Sequence, residues 1–394
     1  MGAHVINRQD VLQKIDDERI VDLVSQLVRI PSRNPPGDEK GCAEYIMRKL
    51  KEWGFGVQVI PEPFPDRPQV VATCEGTERR PTLVLNGHMD VVPEGNVRKW
   101  SVDPFGGVVR GGRVYGRGAC DMKGGIATML MAAKAIKDSG IKLRGNLILQ
   151  FVIGEETGEP GTRHLLVERA IGGDFGIVLE PTNLRVATSE KGVAWFQVVV
   201  EGKPAHAGTP ERGNNAILRA SRMVTLLEKY NRTISKRRHP LLGRATCSVT
   251  MIEGGTKENV IPESCKLTID RRFLPNETAA GIEKELDRIF LGESNLKYRL
   301  ERKIVYEPFE IPAQSKIAQS LRKGMKDLTG TAPKTFGMPV GTDARNFVND
   351  ARIPAVSWGP GDIKVAHSFD EFVEIDQLVT STKVLCLAIL DLLA

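Results

Sequence analysis

The 394-residue sequence predicts an α/β fold interrupted by a smaller α+β unit, and three observations lead there. Short apolar segments alternate with amphipathic helical ones up to Glu180, the pattern of a sheet flanked by helices. Beyond Glu180, strands and helices follow in an order that suits an antiparallel sheet with helices on one face. From about Ile304 the first pattern returns. A chain of this length exceeds one ordinary core, so two domains are expected. The main domain is then discontinuous, residues 1–186 with 302–394, around an insert of 187–301.

In chain order, residues 23–29 and 41–53 carry helical spacing, with Leu50 and Trp53 on one face and Gly54 as a stop signal. Residues 57–60, 70–74 and 82–85 read as strands, the last running directly into His88. A glycine-rich hairpin over 105–118 leads to an alanine- and methionine-rich helix over 124–137. Strands at 147–153 and 175–179 deliver Glu155, Glu156 and Glu180 at their ends. In the insert, 193–201, 245–252 and 264–271 are strands, and 215–230 and 278–291 are helices. A strand at Ala355–Ser357 and a helix over Ile375–Leu393 close the chain.

Composition excludes several classes. No stretch approaches the roughly 20 apolar residues of a membrane span. The first 17 residues are polar and lack an apolar secretory core, so a cytoplasmic protein is expected. Cys42, Cys74, Cys120, Cys247, Cys265 and Cys386 show no paired short spacing, which argues for reduced thiols rather than a disulfide framework or zinc knuckle. The net charge of +6 is spread along the chain apart from Lys236-Arg237-Arg238, and only 6% of residues are aromatic, so a nucleic-acid groove is not expected.

Chemistry concentrates at segment ends. Asn-Gly-His-Met-Asp at 86–90, Gly-Ala-Cys-Asp at 118–121, Gly-Glu-Glu at 154–156, Leu-Glu-Pro at 179–181 and Ala-His-Ser at 366–368 each present a metal-capable side chain. Ligands beyond strand ends are expected in open α/β sheets, whose sites form outside the carboxyl edge. Two histidines and several carboxylates suit a pair of hydrolytic zinc ions. In an extended 88–90 segment Asp90 faces the same side as His88 and can accept from its free ring nitrogen, although an isolated His-x-Asp is more often a structural pair. Asp121 is set among Gly116, Gly118, Gly124 and Gly125, which permit close backbone approach or mark only tight turns. Glu155 and Glu156 would ordinarily be a solvated pair, yet they follow an apolar strand, and neighbouring carboxylates can divide metal binding from proton transfer. Of six histidines, His88, His206 and His367 lie in glycine-, alanine- and proline-rich turns. Neither a GxxxxGK[ST] phosphate loop nor a GxSxG nucleophile elbow is present.

These strings, with Gly-Lys-Pro-Ala-His-Ala-Gly at 202–208 and Gly-Thr-Asp-Ala-Arg at 341–345, resemble the dinuclear zinc aminoacylase and carboxypeptidase family. The match runs through nearly the whole chain in the family's order. It is most similar to the acetylornithine deacetylase and succinyl-diaminopimelate desuccinylase branch.

The resemblance implies a zinc-exopeptidase-like catalytic domain with a central mixed sheet, and a lid and dimerisation domain inserted in it. It implies two divalent metals, zinc with cobalt or manganese as alternatives, one on His88 and Glu180, the other on Glu156 and His367, with Asp121 bridging. Glu155 becomes the general base, Asp90 the partner of His88, and the Asp121-Met122 peptide cis. His206 matches a histidine that reaches into the opposite subunit of a homodimer to stabilise the oxyanion. Asn259, Arg272, Gly341 and Thr342 match substrate contacts, with Arg271 competing for the register of Arg272. The implied activity is removal of an acetyl or succinyl group from a small N-acyl amino acid, with a metallo-exopeptidase and a catalytically silent amino-acid-binding relative as alternatives. Where the proteobacterial desuccinylases carry Gly-Arg-Arg-Gly-Ser, this chain reads Glu190-Lys191-Gly192-Val193-Ala194, so the acyl group stays open.

Overall fold

The computed structural model describes residues 8–292 and 296–394. It divides into two compact units, one comprising the chain up to Thr188 with Ile311–Phe336 and Thr342–Ala394, the other Ser189–Glu310 with Gly337–Gly341. Among the described residues, no helix is long and apolar enough to cross a membrane.

The first unit is built on a mixed sheet whose strands lie side by side in the order Gly56–Ile60, Gln69–Cys74, Asn146–Val152, Thr82–His88, Phe175–Val178 and Ala355–Ser357. The first two pairings are antiparallel and the next three parallel. Thr82–His88 is buried along its whole length, as expected for a parallel strand covered on both faces. Helices Asp17–Val28, Gly124–Asp138 and Ile375–Leu393 lie against one another. The second of these is buried almost all round, which explains why its sequence is apolar without a polar face. Asp16 caps the first by accepting the Arg19 amide at 3.0 Å.

The second unit has a four-stranded antiparallel sheet in the order Thr246–Gly254, Ser264–Phe273, Gly192–Glu201 and Lys297–Tyr306. Helix Ala216–Ile234 turns Ala216, Ala220, Met223, Leu227, Tyr230 and Ile234 inward, a spacing of three and four residues. Helix Ala279–Leu291 contributes Ile282, Leu286 and Phe290 to the same core, where they meet Phe196, Val198, Leu267 and Ile269 of the sheet. Each such side chain is worth about 1.5–3 kcal/mol of burial. Asn215 and Thr278 cap the two helices through their side-chain oxygens.

Candidate metal centre

The parallel register aligns three strand ends. His88 stands opposite Val152 and Asn86 opposite Val178, so the segments carrying Glu155, Glu156 and Glu180 leave the sheet at the edge where His88 ends its strand. Asp121 enters on the buried turn Ala119–Lys123, which runs into the Gly124–Asp138 helix. Its peptide to Met122 is cis. Gly125 lies against the backbone of Leu179, where a Cβ would come within 2.1 Å of the carbonyl oxygen, so only glycine lets that helix approach the Glu180 segment. His367 has a left-handed backbone, φ 60°.

Two donor sets result. His88, Asp121 and Glu180 present ligand atoms within 4.8 Å of one another, as do Asp121, Glu156 and His367. The two oxygens of Asp121 serve different sets, Oδ1 lying 3.1 Å from Nε2 of His88 and Oδ2 lying 3.4 Å from Nε2 of His367. His367 Nε2 is also 3.1 Å from Glu156. A carboxylate facing two histidines in opposite directions has the geometry of a bridge between two cations.

Around the donors, His88 Nδ1 meets the Asp90 carbonyl oxygen at 2.9 Å, and the Asp90 carboxylate lies 3.6 Å from it. That carboxylate accepts the backbone amides of Glu155 at 3.3 Å and Glu156 at 3.1 Å and the side-chain amide of Asn34 at 3.0 Å. Asp90 therefore orients one histidine and anchors the glutamate loop. Glu371, fully buried, accepts the amides of Cys120 and Asp121 and is ion-paired with Arg117. Arg117 reaches the His367 carbonyl oxygen at 3.4 Å.

Charge crowding sets the electrostatics. Burial, with the charge of Asp121, pushes the Glu180 carboxyl well above the usual range, and the same two causes raise Glu156 against its hydrogen bond to His367. Glu155, with its side chain 13% exposed, is raised strongly by burial; His88 opposes the shift and Asp343 adds to it. For Asp121 burial acts upward, but the hydrogen bonds to His367 and His88 outweigh it and hold the carboxyl low. Hydrogen bonds to Asp121 and Glu156 raise His367, whose side chain is about half exposed, to about 10. His88 would be lowered by burial, yet Asp121 and Asp90 raise it well above its ordinary value.

Raised carboxyls packed around two nitrogen ligands are an excess of negative charge that divalent cations would neutralise. Hard carboxylate oxygens combined with imidazole suit zinc and its neighbours, so the residues fit the implied pair of ions. Because both histidines must lose their protons to ligate, such binding weakens as pH falls.

His206 is exposed in the second unit on a two-residue strand paired with Val260–Ile261, and Asn259 is beside it, its carbonyl accepting the Ala207 amide at 2.9 Å. Arg272 forms a two-point ion pair with Asp270 at 2.8 and 3.0 Å. Arg271 is fully buried and bound to Glu277, which leaves no free face for a substrate carboxylate. Gly341 is half-buried in the second unit. Thr342, in the first, is buried with its hydroxyl on Ser357 at 2.8 Å.

Sequence reasoning did not single out Asn34, Arg117, Asp343, Arg345 or Glu371. Asp343 accepts from Thr162 at 2.7 Å, and Arg345 lies 3.7 Å from Glu155. Both stand inside the Gly-Thr-Asp-Ala-Arg string, so a signal for them was present.

The family model described as Peptidase family M20/M25/M40 matches residues 84–391. An N-formyl-4-amino-5-aminomethyl-2-methylpyrimidine deformylase from Halalkalibacterium halodurans is 32% identical, covering 96% of this chain and 95% of that protein. An acetylornithine deacetylase from Myxococcus xanthus is 30% identical over 88% and 90%. An M20 family metallo-carboxypeptidase structure from Sulfolobus solfataricus superposes with a TM-score of 0.80 at 19% identity, covering 95% of this chain and 98% of that one.

Proposed function

The chain belongs to peptidase family M20/M25/M40, a family of metal-dependent hydrolases of amide bonds, and from that premise we propose that it removes a small acyl group from an N-acyl amino acid or related amine. The observation that carries the reading is Glu155, a buried carboxyl beside two donor sets that share Asp121 yet a member of neither. Two divalent cations, zinc or alternatively cobalt or manganese, would be held by His88, Asp121 and Glu180 and by Asp121, Glu156 and His367. When bound, such ions polarise a carbonyl and acidify water.

The protein's own groups do the rest. Glu155 accepts the proton of the attacking water as its oxygen bonds to the carbonyl carbon. It returns that proton to the amine nitrogen as the C–N bond breaks. Burial raises its proton affinity, which favours its taking the proton from water. The Asp90 carboxylate keeps the base in place by accepting the backbone amides of Glu155 and Glu156. The Gly208 amide donates to His206 Nδ1 at 3.0 Å, which puts the ring proton on Nε2 and makes that atom a donor for a developing oxyanion. Asn259, Arg272, Gly341 and Thr342 complete the proposal as substrate contacts, Arg272 after exchanging Asp270 for a substrate carboxylate.

A homodimer belongs to the same reading. Strand Thr246–Gly254 is an edge of its sheet, with Met251 and Ile252 exposed, and Leu218 at the start of the neighbouring helix is also exposed. Such an edge offers unpaired backbone groups with which another chain could pair. His206→Ala should retain fold and metal content while slowing turnover. Mixed dimers of that variant with Glu155→Gln should regain partial activity, and demonstrably mixed dimers that stay inactive would exclude action across the dimer.

The likeness to a formyl-pyrimidine deformylase adds formyl to acetyl and succinyl as candidate acyl groups. Release of free amine should therefore be measured from N-formyl, N-acetyl and N-succinyl amino acids, the N-formyl aminomethylpyrimidine and dipeptides, before and after chelation and zinc restoration. Metal-dependent release from one acyl class supports the proposal. Cleavage of dipeptides alone would favour the exopeptidase, and silence of a fully metallated protein the binding relative.

A further inference from the structure

Arg67 does no chemistry in the mechanism above, yet it pairs with two carboxylates at once, Glu39 and Glu159. One edge of its guanidinium grips Glu39, Nε at 2.7 Å and Nη2 at 2.5 Å. The other grips Glu159, Nη1 at 2.9 Å and Nη2 at 2.6 Å. Glu39 is fully buried and the Arg67 side chain only 12% exposed, so the Glu39 pair is shielded from water, while Glu159, 26% exposed, is partly open to it. The guanidinium also lies against Gly37, where a Cβ would come within 2.5 Å of its carbon.

Glu159 closes the loop that carries both functional glutamates. Its amide donates to the Gly154 carbonyl at 2.8 Å, and the Gly158 amide donates to the Glu155 carbonyl at 3.0 Å. Gly154 has φ 79°, and a Cβ there would strike the Cβ of Glu159 at 2.5 Å. The Asn34 amide ties the loop to Asp90, donating to Glu159 at 3.2 Å, Thr157 at 2.8 Å and Asp90 at 3.0 Å.

We propose that Arg67 is a positioning residue which, by clamping Glu159, fixes the 154–159 loop and so selectively builds the cation set containing Glu156 and His367, along with the stance of Glu155. The set containing His88 and Glu180 stands on the sheet edge and takes no ligand from this loop, which it meets only indirectly through Asp90, so it should be far less sensitive to the clamp. The inference rests on reading Glu156 as a ligand and Glu155 as the base.

Removing Arg67 alone strands the buried charge of Glu39 and risks unfolding, so the test uses Arg67→Met combined with Glu39→Gln, and Glu159→Gln separately, in the full chain. Metal-free protein is titrated with Co2+ and the two binding events are followed by visible absorption. Glu156→Ala and Glu180→Ala references assign each event to its set. The expected result is a loss of about 10–100-fold in affinity for the Glu156 event, with the Glu180 event within about twofold of wild type. Affinities unchanged at both sets, or weakened equally at both, would overturn the proposal and leave Arg67 a purely structural tie. Wild-type protein that binds no cobalt would overturn the metal reading itself, and this inference with it.

Discussion

Glu155→Gln should leave both cation sets occupied and lower kcat by about 10²–10⁴-fold or more, the range that a positioned proton-transfer group contributes. Glutamine preserves the size of the side chain and removes only its ability to take a proton. Metal binding should survive because neither set uses the Glu155 carboxyl. The loop should also survive, since Asp90 holds Glu155 by its backbone amide rather than its side chain. With KM little changed, the loss would be confined to the transition state. Metal content by elemental analysis together with kcat and KM decides the matter, and activity retained at wild-type level would remove Glu155 from the mechanism.

Asp121→Ala should do more, because one substitution takes a ligand from both sets. Its oxygens face His88 on one side and His367 on the other, so no neighbouring carboxylate can serve both. Both ions should be lost or bound far more weakly, and turnover should fall by about 10³-fold or more as cation chemistry disappears. Asp121→Asn should behave similarly, since the neutral amide cannot offset two cations. Elemental analysis, with circular dichroism to show a folded chain, tests this. Two ions retained at wild-type affinity would dismiss the bridging role.

Much of this architecture was legible along the chain because it is written locally. The strand delivering His88 reads from its apolar run, and the buried Gly124–Asp138 helix from its alanines and methionines, within a residue of where it ends. Glu155 and Glu156 stood out because an apolar strand precedes them. What escaped was long-range pairing. Arg117 and Glu371 are 254 residues apart, and Arg67 and Glu159 are 92 apart, with nothing in either neighbourhood to announce the partner. Arg271 and Arg272 show the same limit. Adjacent and chemically identical, they point to opposite faces of one strand, so that one is buried on Glu277 and the other lies partly exposed on Asp270.

The discontinuity of the first unit also orders events during biosynthesis. His88, Asp121, Glu155, Glu156 and Glu180 are made before the second unit, whereas His367 and Glu371 follow it. Until then the Glu156 set lacks its histidine, and the Asp121 turn lacks the carboxylate that receives its amides. A nascent chain can therefore assemble the His88 and Glu180 half early, whereas the proposed two-ion centre would be completed only once His367 has been made.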